Sequence, residues 1–488
     1  MQYSEEFVMS LMDQVKHLLD QVAQQNNQIV ELTSKIDELT KQITELTEKN
    51  NKNSNNSSKP PSSDGLKKDT SKKRSLREKT SKKQGGQPGH KGNRLEIEGK
   101  PDQSRSLAPS KCKLCPNWEK CHGKACPGEK RYLVDYEIKR TVTEYISLKL
   151  TCPMDNTNLK GEFPEDIKGE IQYGKNIAAL LVALNTVGAV STDRVKEIAG
   201  SILGLPISKA TIIKMVSRCA NKVQNFLAII KERIINAWEA YFDETGSRVE
   251  GKTRWVHCAV TSEYTYLFYH PKRGKVAMDE MGVLPFFKGI AHHDCWKPYF
   301  RFTEMDHAVC CAHLLRELNG IIENHSDQEW ASSFKRLLLN MKKTKEGSMI
   351  NGENAANHCY HKRYLNQYDD ILNAACEMNP VPEKTPGRRG RQNKGKIRAF
   401  IDRLIVNKAA VCLFFTNFKV DFDNNQAERD IRIVKIKTKV SGCFRSEEGI
   451  KDYLAVMSYI GTAKKHGKNA FQAILNAFKG NTSYALEY

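Results

Sequence analysis

Residues 8 to 46 repeat their apolar positions every seven residues. Position a holds Val8, Val15, Val22, Ile29, Ile36 and Ile43; position d holds Leu11, Leu18, Gln25, Leu32, Leu39 and Leu46. β-Branched residues at a with Leu at d favour a parallel two-stranded coiled coil. Gln25 is a polar core position that fixes register at some cost in stability. Flanking positions are mostly Gln, Thr and Lys, so charge pairs do little to choose the partner. The competing reading is a long amphipathic helix packed on its own chain, and an unbroken heptad of this length disfavours it. The pattern then stops. The stretch NKNSNNSSKPPSSDG is too polar and too rich in Pro and Ser to bury a core.

Further on, YLVDYEIKRTVTEYISLKLTC alternates apolar and polar residues and predicts a two-stranded ribbon. Residues 175 to 240 read as helical. Within them, TDRVKEIAGSILGLPISKATIIKMVSRCANKV reads as helix, Gly-Leu-Pro turn, helix, with Ser208 capping the second. The pair fits a helix-turn-helix that docks on DNA, or a hairpin that serves as scaffold. At Glu239 the period changes. EAYFDETGSRV, TRWVHCAVTS and YTYLFYH predict three strands joined by short turns. A helical piece, KVAMDEMGVLPFF, precedes GIAHHDCWKPYF, a strand that ends at a carboxylate. HAVCCAHLLRELNGIIE and most of 325 to 410 then read as helical, interrupted near 380 to 396 by a Pro- and Gly-rich loop. Alternating strands and helices imply a mixed α/β sheet.

Charge changes this picture. Of the 488 residues, 77 are Lys or Arg and 57 are Asp or Glu, a formal net charge of +20. That favours a polyanionic partner, nucleic acid before a membrane surface. From Lys59 to Arg94 there are twelve Lys or Arg against three acids. A flexible basic arm of this kind, Lys82 and Lys83 included, gathers phosphate contacts without reading sequence; otherwise it is a solubilising linker. No apolar run long enough to span a membrane is present, and the N-terminus does not resemble a signal peptide. Five of the 14 cysteines lie between 112 and 152. This fits a reducing cytoplasm and one metal site better than a disulfide framework. Cys112-x-x-Cys115 is half of a zinc site. Cys121, His122, Cys126 and Cys152 compete for the other half, and a cluster of unligated cysteines is the alternative.

The candidate chemistry lies in three carboxylates. Asp243 sits among the apolar residues of the first strand, and Asp294 at the end of the fourth. A buried charge is costly unless paired or bound to metal. Glu428 lies far along the chain in DFDNNQAERDIRIVKIKTKVSGCFR, followed by Arg429, Arg432, Lys435, Lys437, Lys439 and Arg445. There Asn425 predicts a helix N-cap with Glu428 at the third helical position, so Glu428 is either half of a capping box or a metal ligand in a phosphate-binding field. Three convergent carboxylates can hold two Mg²⁺ or Mn²⁺ ions that act on a phosphodiester. Glu244, Asp279 and Asp306 compete as ligands. Strand alternation turns Glu244 away from Asp243.

The chain resembles the transposases of IS-sixty-six type insertion sequences. The resemblance is carried by the N-terminal heptad, SSKPPSSD, GGQPGHKG, the cysteine cluster, and FDETGSRV, HHDCWKPY, CCAHLLREL and NNQAERDIR in that order. It implies an RNase H-like catalytic core with a DDE triad of Asp243, Asp294 and Glu428, and a helical insertion before the Glu. CPMD at 152 departs from the family, since Cys152 lacks its mate, so Cys121 or Cys126 is expected to complete the zinc set. The expected organisation is a multidomain α/β chain. It comprises a coiled coil (1–50), a disordered basic linker (51–100), a small zinc-binding module (101–165), a helical region (166–238), the catalytic domain (239–465, insertion about 320–410) and a tail (466–488). The implied activity is metal-dependent cleavage at the element's ends and strand transfer into target DNA. Arg429, Arg432 and Lys435 would grip phosphate, the coiled coil would pair protomers, and accessory proteins of the element would assist. An RNase H-like nuclease without strand transfer, and a non-catalytic dimeric DNA-binding regulator, remain open at this point.

Overall fold

The computed structural model describes residues 5–53, 56, 57, 89, 97, 99–107, 109–112, 114–122, 128–381 and 394–487, without the side chains of residues 5, 6, 41, 118 and 119. The basic arm therefore lies almost wholly outside the described residues, as do Lys82, Lys83 and Cys126. Two compact units divide the chain: residues 69–146, and the remainder.

In the larger unit, α1 (Glu5–Asn51) is one continuous helix, as the heptad predicts. Its a and d side chains are exposed; Leu32 and Leu39 show 57% and 56% of their surface. The helix does not bury its stripe on its own chain. Its C-terminal end is tied down, with Glu48 paired to His325 at 3.1 Å and to Lys396. Among the described residues no helix is long and apolar enough to cross a membrane.

The smaller unit contains a short helix, α2 (Trp118–His122), after a turn in which the Cys115 amide donates to the Cys112 carbonyl at 3.2 Å. The ribbon expected over 132–152 is not formed there. Among the described residues up to 148 there is no strand; pairing is confined to β1 (Lys149–Thr151) and β2 (Asn158–Lys160), antiparallel in the larger unit. The alternating residues Tyr132, Val134, Tyr136, Ile138 and Val142 are all exposed. An isolated hairpin without a face to cover is at best marginal in water.

Helices α3 (Lys175–Thr186), α4 (Thr192–Leu203) and α5 (Lys209–Ile235) follow. Ser208 caps α5 as expected, its hydroxyl accepting the Thr211 amide at 3.1 Å. The turn between α4 and α5 uses Gly204 at φ 61°, a left-handed conformation that glycine adopts without strain. α5 buries Ile212, Met215, Cys219, Val223, Phe226 and Ile230 in the same core as the main sheet. The helical pair thus shares the sheet's core.

That sheet has the order β5–β4–β3–β6–β7. β3 (Glu239–Val249), β4 (Lys252–Val260) and β5 (Thr265–His270) form an antiparallel meander; β6 (Ile290–His293) and β7 (Asp306–Val309) run parallel to β3. The first four strands match the sequence pattern. β7 corrects it: residues 306–309 are a strand, because this apolar piece is too short to show a period and takes its conformation from β6. α6 (Lys275–Met281) lies between β5 and β6. Beyond β7, α7 (Cys311–Asn324), α8 (Glu329–Ile350), α9 (His358–Met378), α10 (Lys396–Val406) and α11 (Lys408–Thr416) build a second core around Leu318, Phe334, Tyr368 and Phe415. The described stretch from 311 to 416 is largely helical, as its sequence reads from 311 on. α12 (Asn425–Ser441) and α13 (Glu447–Lys465) return to the sheet, and α14 (Ala470–Lys479) closes on α3 and α5.

Candidate active site

Parallel pairing puts Tyr241 of β3 opposite His292 of β6. Asp243 and Asp294 each lie two residues beyond that pair, so they stand at the same level on neighbouring strands. In open α/β sheets this carboxyl end is where ligands bind. Asp306 sits at the other end, paired with Ile290 at the start of β6, and is exposed. Asp279 is spent on Lys275, 2.8 Å away on α6. Neither competes for the site.

Glu428 is brought in by the segment before it. The helix cap is Asn424, and the prediction of Asn425 is corrected. Asn425 donates its amide to Asp423 Oδ1 at 3.2 Å. Asn424 uses its side-chain amide on the Phe242 carbonyl at 2.7 Å, and its main-chain amide on Cys310 Sγ at 3.2 Å. Glu428 therefore sits one position beyond where a capping box would need it. Further anchors hold α12. Gln426 donates to the Thr261 carbonyl, and Asp430 accepts Thr265 Oγ1 at 2.6 Å and pairs with Lys465 at 2.7 Å. The buried Lys437 donates to the carbonyls of Asn185 and Val190 at 2.8 and 2.9 Å. Lys437 is thus a structural tie and leaves the phosphate-binding run. Arg429 and Arg432 are exposed and Lys435 is half-buried. Arg432 and Lys435 follow Glu428 by four and seven positions, which places them on its face of the helix.

The carboxylates repel one another. Burial raises the Asp243 carboxyl well above the usual range, and the charges of Glu244, Asp294 and Glu428 add to the rise. Asp294 is raised by burial and by Glu244, partly offset by His313, by the Trp296 amide that it accepts at 3.0 Å, and by Arg273. Glu428 Oε1 is buried without a hydrogen bond, facing Arg316 at 3.6 Å and His313 Nε2 at 3.7 Å. Mutually repelling carboxylates with an orphaned oxygen are a set that a divalent cation would satisfy.

Glu244 accepts from Arg273 Nε at 3.1 Å and from the Tyr299 hydroxyl at 2.7 Å, and its side chain is 1% exposed. Arg273 in turn lies over Trp296 at 3.9 Å and Trp255 at 4.8 Å. Glu244 is thus fully occupied, yet close enough to bias both aspartates. Sequence reasoning missed this tie, which joins three separate segments. It also passed over Cys310, His313 and Arg316, whose every-third-residue spacing on α7 was a readable signal. The two histidines of HHD turn inward. His293 stacks on Tyr299 and bonds His307 at 3.0 Å, and His292 stacks on Tyr241. From Asp294 and His313 a cleft of about 1000 Å³ runs between the sheet and the insertion, past Trp296, Lys297 and Arg403 to Glu48 and Lys396.

Cys112, Cys115 and Cys121 belong to the smaller unit and Cys152 to the larger. Among the described residues, the one convergent group of three metal-ligand side chains is Cys310, His313 and Glu428.

A family model described as Transposase IS66 family matches residues 170–452, and one described as a family of unknown function (DUF6444) matches residues 12–96. Comparison with curated proteins gave no match.

Proposed function

The chain belongs to the IS66 family of transposases, and we propose that Asp243, Asp294 and Glu428 form its catalytic triad for DNA cleavage and strand transfer. The observation that carries the proposal is the register of β3 and β6, which levels Asp243 with Asp294, together with the Asn424–Phe242 bond that brings α12 beside them. In chain order the sheet reads third, second, first, fourth, fifth strand, which supports an RNase H-like core.

The triad fits Mg²⁺ or Mn²⁺, because its donors are carboxylate oxygens and its ionised form lacks an internal counter-charge at Asp243. Two such ions, when bound, would polarise the scissile phosphate and both the attacking and leaving oxygens. The chain supplies the rest. The β3–β6 pair holds the two aspartates rigidly, and α12 sets the distance of Glu428. Arg432 and Lys435, on the Glu428 face, and Arg429 beside them, grip the phosphate backbone. Hydrolysis breaks the bond to the 3′-oxygen at the element's end and leaves a 3′-hydroxyl. That hydroxyl then attacks a target phosphate, so one phosphodiester forms as another breaks.

The partners proposed are element-end DNA, target DNA and a second copy of the chain through the exposed heptad of α1, with accessory proteins of the element. The basic arm, Lys82 and Lys83 included, serves as an electrostatic tether. Zinc at Cys112 and Cys115, completed by Cys121 or Cys126, remains the proposed role of the cysteine cluster.

The test is cleavage of end DNA in Mg²⁺ by Asp243→Ala, Asp294→Ala and Glu428→Ala, each expected inactive while still binding DNA. Near wild-type cleavage by any one removes that residue from the triad. Joining of a precut end to target separates a transposase from a nuclease that only cuts.

A further inference from the structure

α7 starts with Cys310 at its N-cap and carries His313 one turn later. Residues three apart share a helix face. Glu428 enters from the first turns of α12. Cys310 Sγ, a ring nitrogen of His313 and a carboxylate oxygen of Glu428 lie within 4.8 Å of one another. Two polar atoms of this group, His313 Nδ1 and Glu428 Oε1, are buried and have no hydrogen-bond partner. Glu428 Oε1, which faces His313 Nε2 at 3.7 Å beside the Cys310 thiol, points to a ligand that would satisfy it. The thiol is already prepared on one side, since the Asn424 amide donates to Cys310 Sγ at 3.2 Å.

We infer that Cys310, His313 and Glu428 form a binding site for a borderline-soft divalent cation of the zinc class. A sulfur, a nitrogen and an oxygen donor suit zinc or cobalt and do not suit Mg²⁺. Three protein ligands leave one tetrahedral position for water or a phosphate oxygen. Arg316, 3.6 Å from Glu428 Oε1, is the cation that the metal must displace. The site is distinct from the carboxylate pair of Asp243 and Asp294, yet shares Glu428 with the proposed triad. It therefore draws Glu428 away from the triad. That consequence, inhibition by zinc-class ions, rests on the triad assignment; the site itself does not.

The experiment is a Co²⁺ titration of the full-length protein followed by absorption, where a thiolate ligand gives a charge-transfer band and a tetrahedral site gives intense visible bands. The cysteine cluster can contribute its own signal, so the reading is a difference. Cys310→Ser is expected to lose about one equivalent of bound Co²⁺ with its share of the band. His313→Ala is expected to lose the same, and Cys311→Ser, the buried neighbour, to lose nothing. Far-UV circular dichroism checks that each variant is folded; if Cys310→Ser is not, His313→Ala and Glu428→Gln carry the comparison. Millimolar Mg²⁺ should not displace the band. Stoichiometry and spectrum equal to wild type in the folded Cys310→Ser and His313→Ala proteins would overturn the site. The readout uses neither DNA nor catalysis. A failed triad with an intact cobalt difference, or the reverse, is therefore distinguishable.

Discussion

Asn424 gives its side-chain amide to the main-chain carbonyl of Phe242 at 2.7 Å, and both residues are buried. The bond joins the residue that precedes Asp243 to the residue that starts the helix of Glu428. Two candidate ligands 185 positions apart in the sequence are thereby referred to one point of the backbone.

Asn424→Ala should accordingly damage catalysis more than stability. A buried hydrogen bond of this kind contributes roughly 1 kcal/mol, and up to about 3 when a partner is orphaned. Misplacing a catalytic group by about 1 Å can cost a hundredfold in rate. Expected are a stability loss of about 1–2 kcal/mol by urea unfolding and at least a tenfold fall in Mg²⁺-dependent cleavage of end DNA. Equal cleavage with reduced stability would make the bond a structural one only.

The strands that carry Asp243 and Asp294 were legible because alternation and β-branched residues mark a strand without knowledge of its partner. Their register was not, since nothing local in HHDCW says which strand it will lie beside. The same limit hid β7, whose conformation comes from β6, and the Glu244–Arg273–Tyr299 tie, whose members come from three segments. The cap was misplaced by one residue because Asn424 and Asn425 are chemically equal; what separates them is a tertiary bond to Phe242. The ribbon over 132–152 failed for the opposite reason. Its pattern is real, but no face exists in the described residues for it to cover.

The exposed stripe of α1 predicts a dimer. Val, Ile and Leu side chains along it keep about half or more of their surface in the single chain. Burial of one such side chain is worth about 1.5–3 kcal/mol. Leu32→Lys with Leu39→Glu should convert the protein to a monomer in sedimentation, any loss of helicity being confined to α1. A doubly substituted protein that still sediments as a dimer would place the pairing surface elsewhere.

Asp243 predicts a stability that depends on pH and on divalent cations. Its folded carboxyl holds its proton to higher pH than an unfolded one. Such a group stabilises the fold below the ordinary aspartate range, and that contribution is lost as pH rises through the unfolded value towards the folded one. At neutral pH without metal, an acid at position 243 is therefore a net liability. Asp243→Asn should raise Tm near pH 7 by a few degrees, with the gain shrinking as pH falls. Mg²⁺ should raise Tm of the wild type more than that of the variant. An Asn variant that is less stable at pH 7 and equally responsive to Mg²⁺ would contradict both the burial of charge and the cation role.

Glu244 tests how the site is tuned. Its charge is the largest electrostatic contribution raising both Asp243 and Asp294. Yet its own oxygens are taken by Arg273 and Tyr299, and its side chain is almost fully buried. It is thus placed to hold the aspartates' proton affinity up without joining them at a metal. Metal binding needs ionised carboxylates, so the acid limb of the cleavage profile follows the pKa of Asp243 and Asp294. Glu244→Gln keeps the shape and can still accept from Tyr299, but removes the negative charge. The aspartates then ionise at lower pH, and the acid limb should move to lower pH. Arg273 would lose its counter-charge while keeping its stacking between Trp255 and Trp296, so folding should survive. Activity at the pH optimum should stay within roughly tenfold of wild type. If Glu244→Gln instead abolishes cleavage at every pH, in a folded protein that still binds end DNA, Glu244 is a ligand in the reaction and the triad must be redrawn around it.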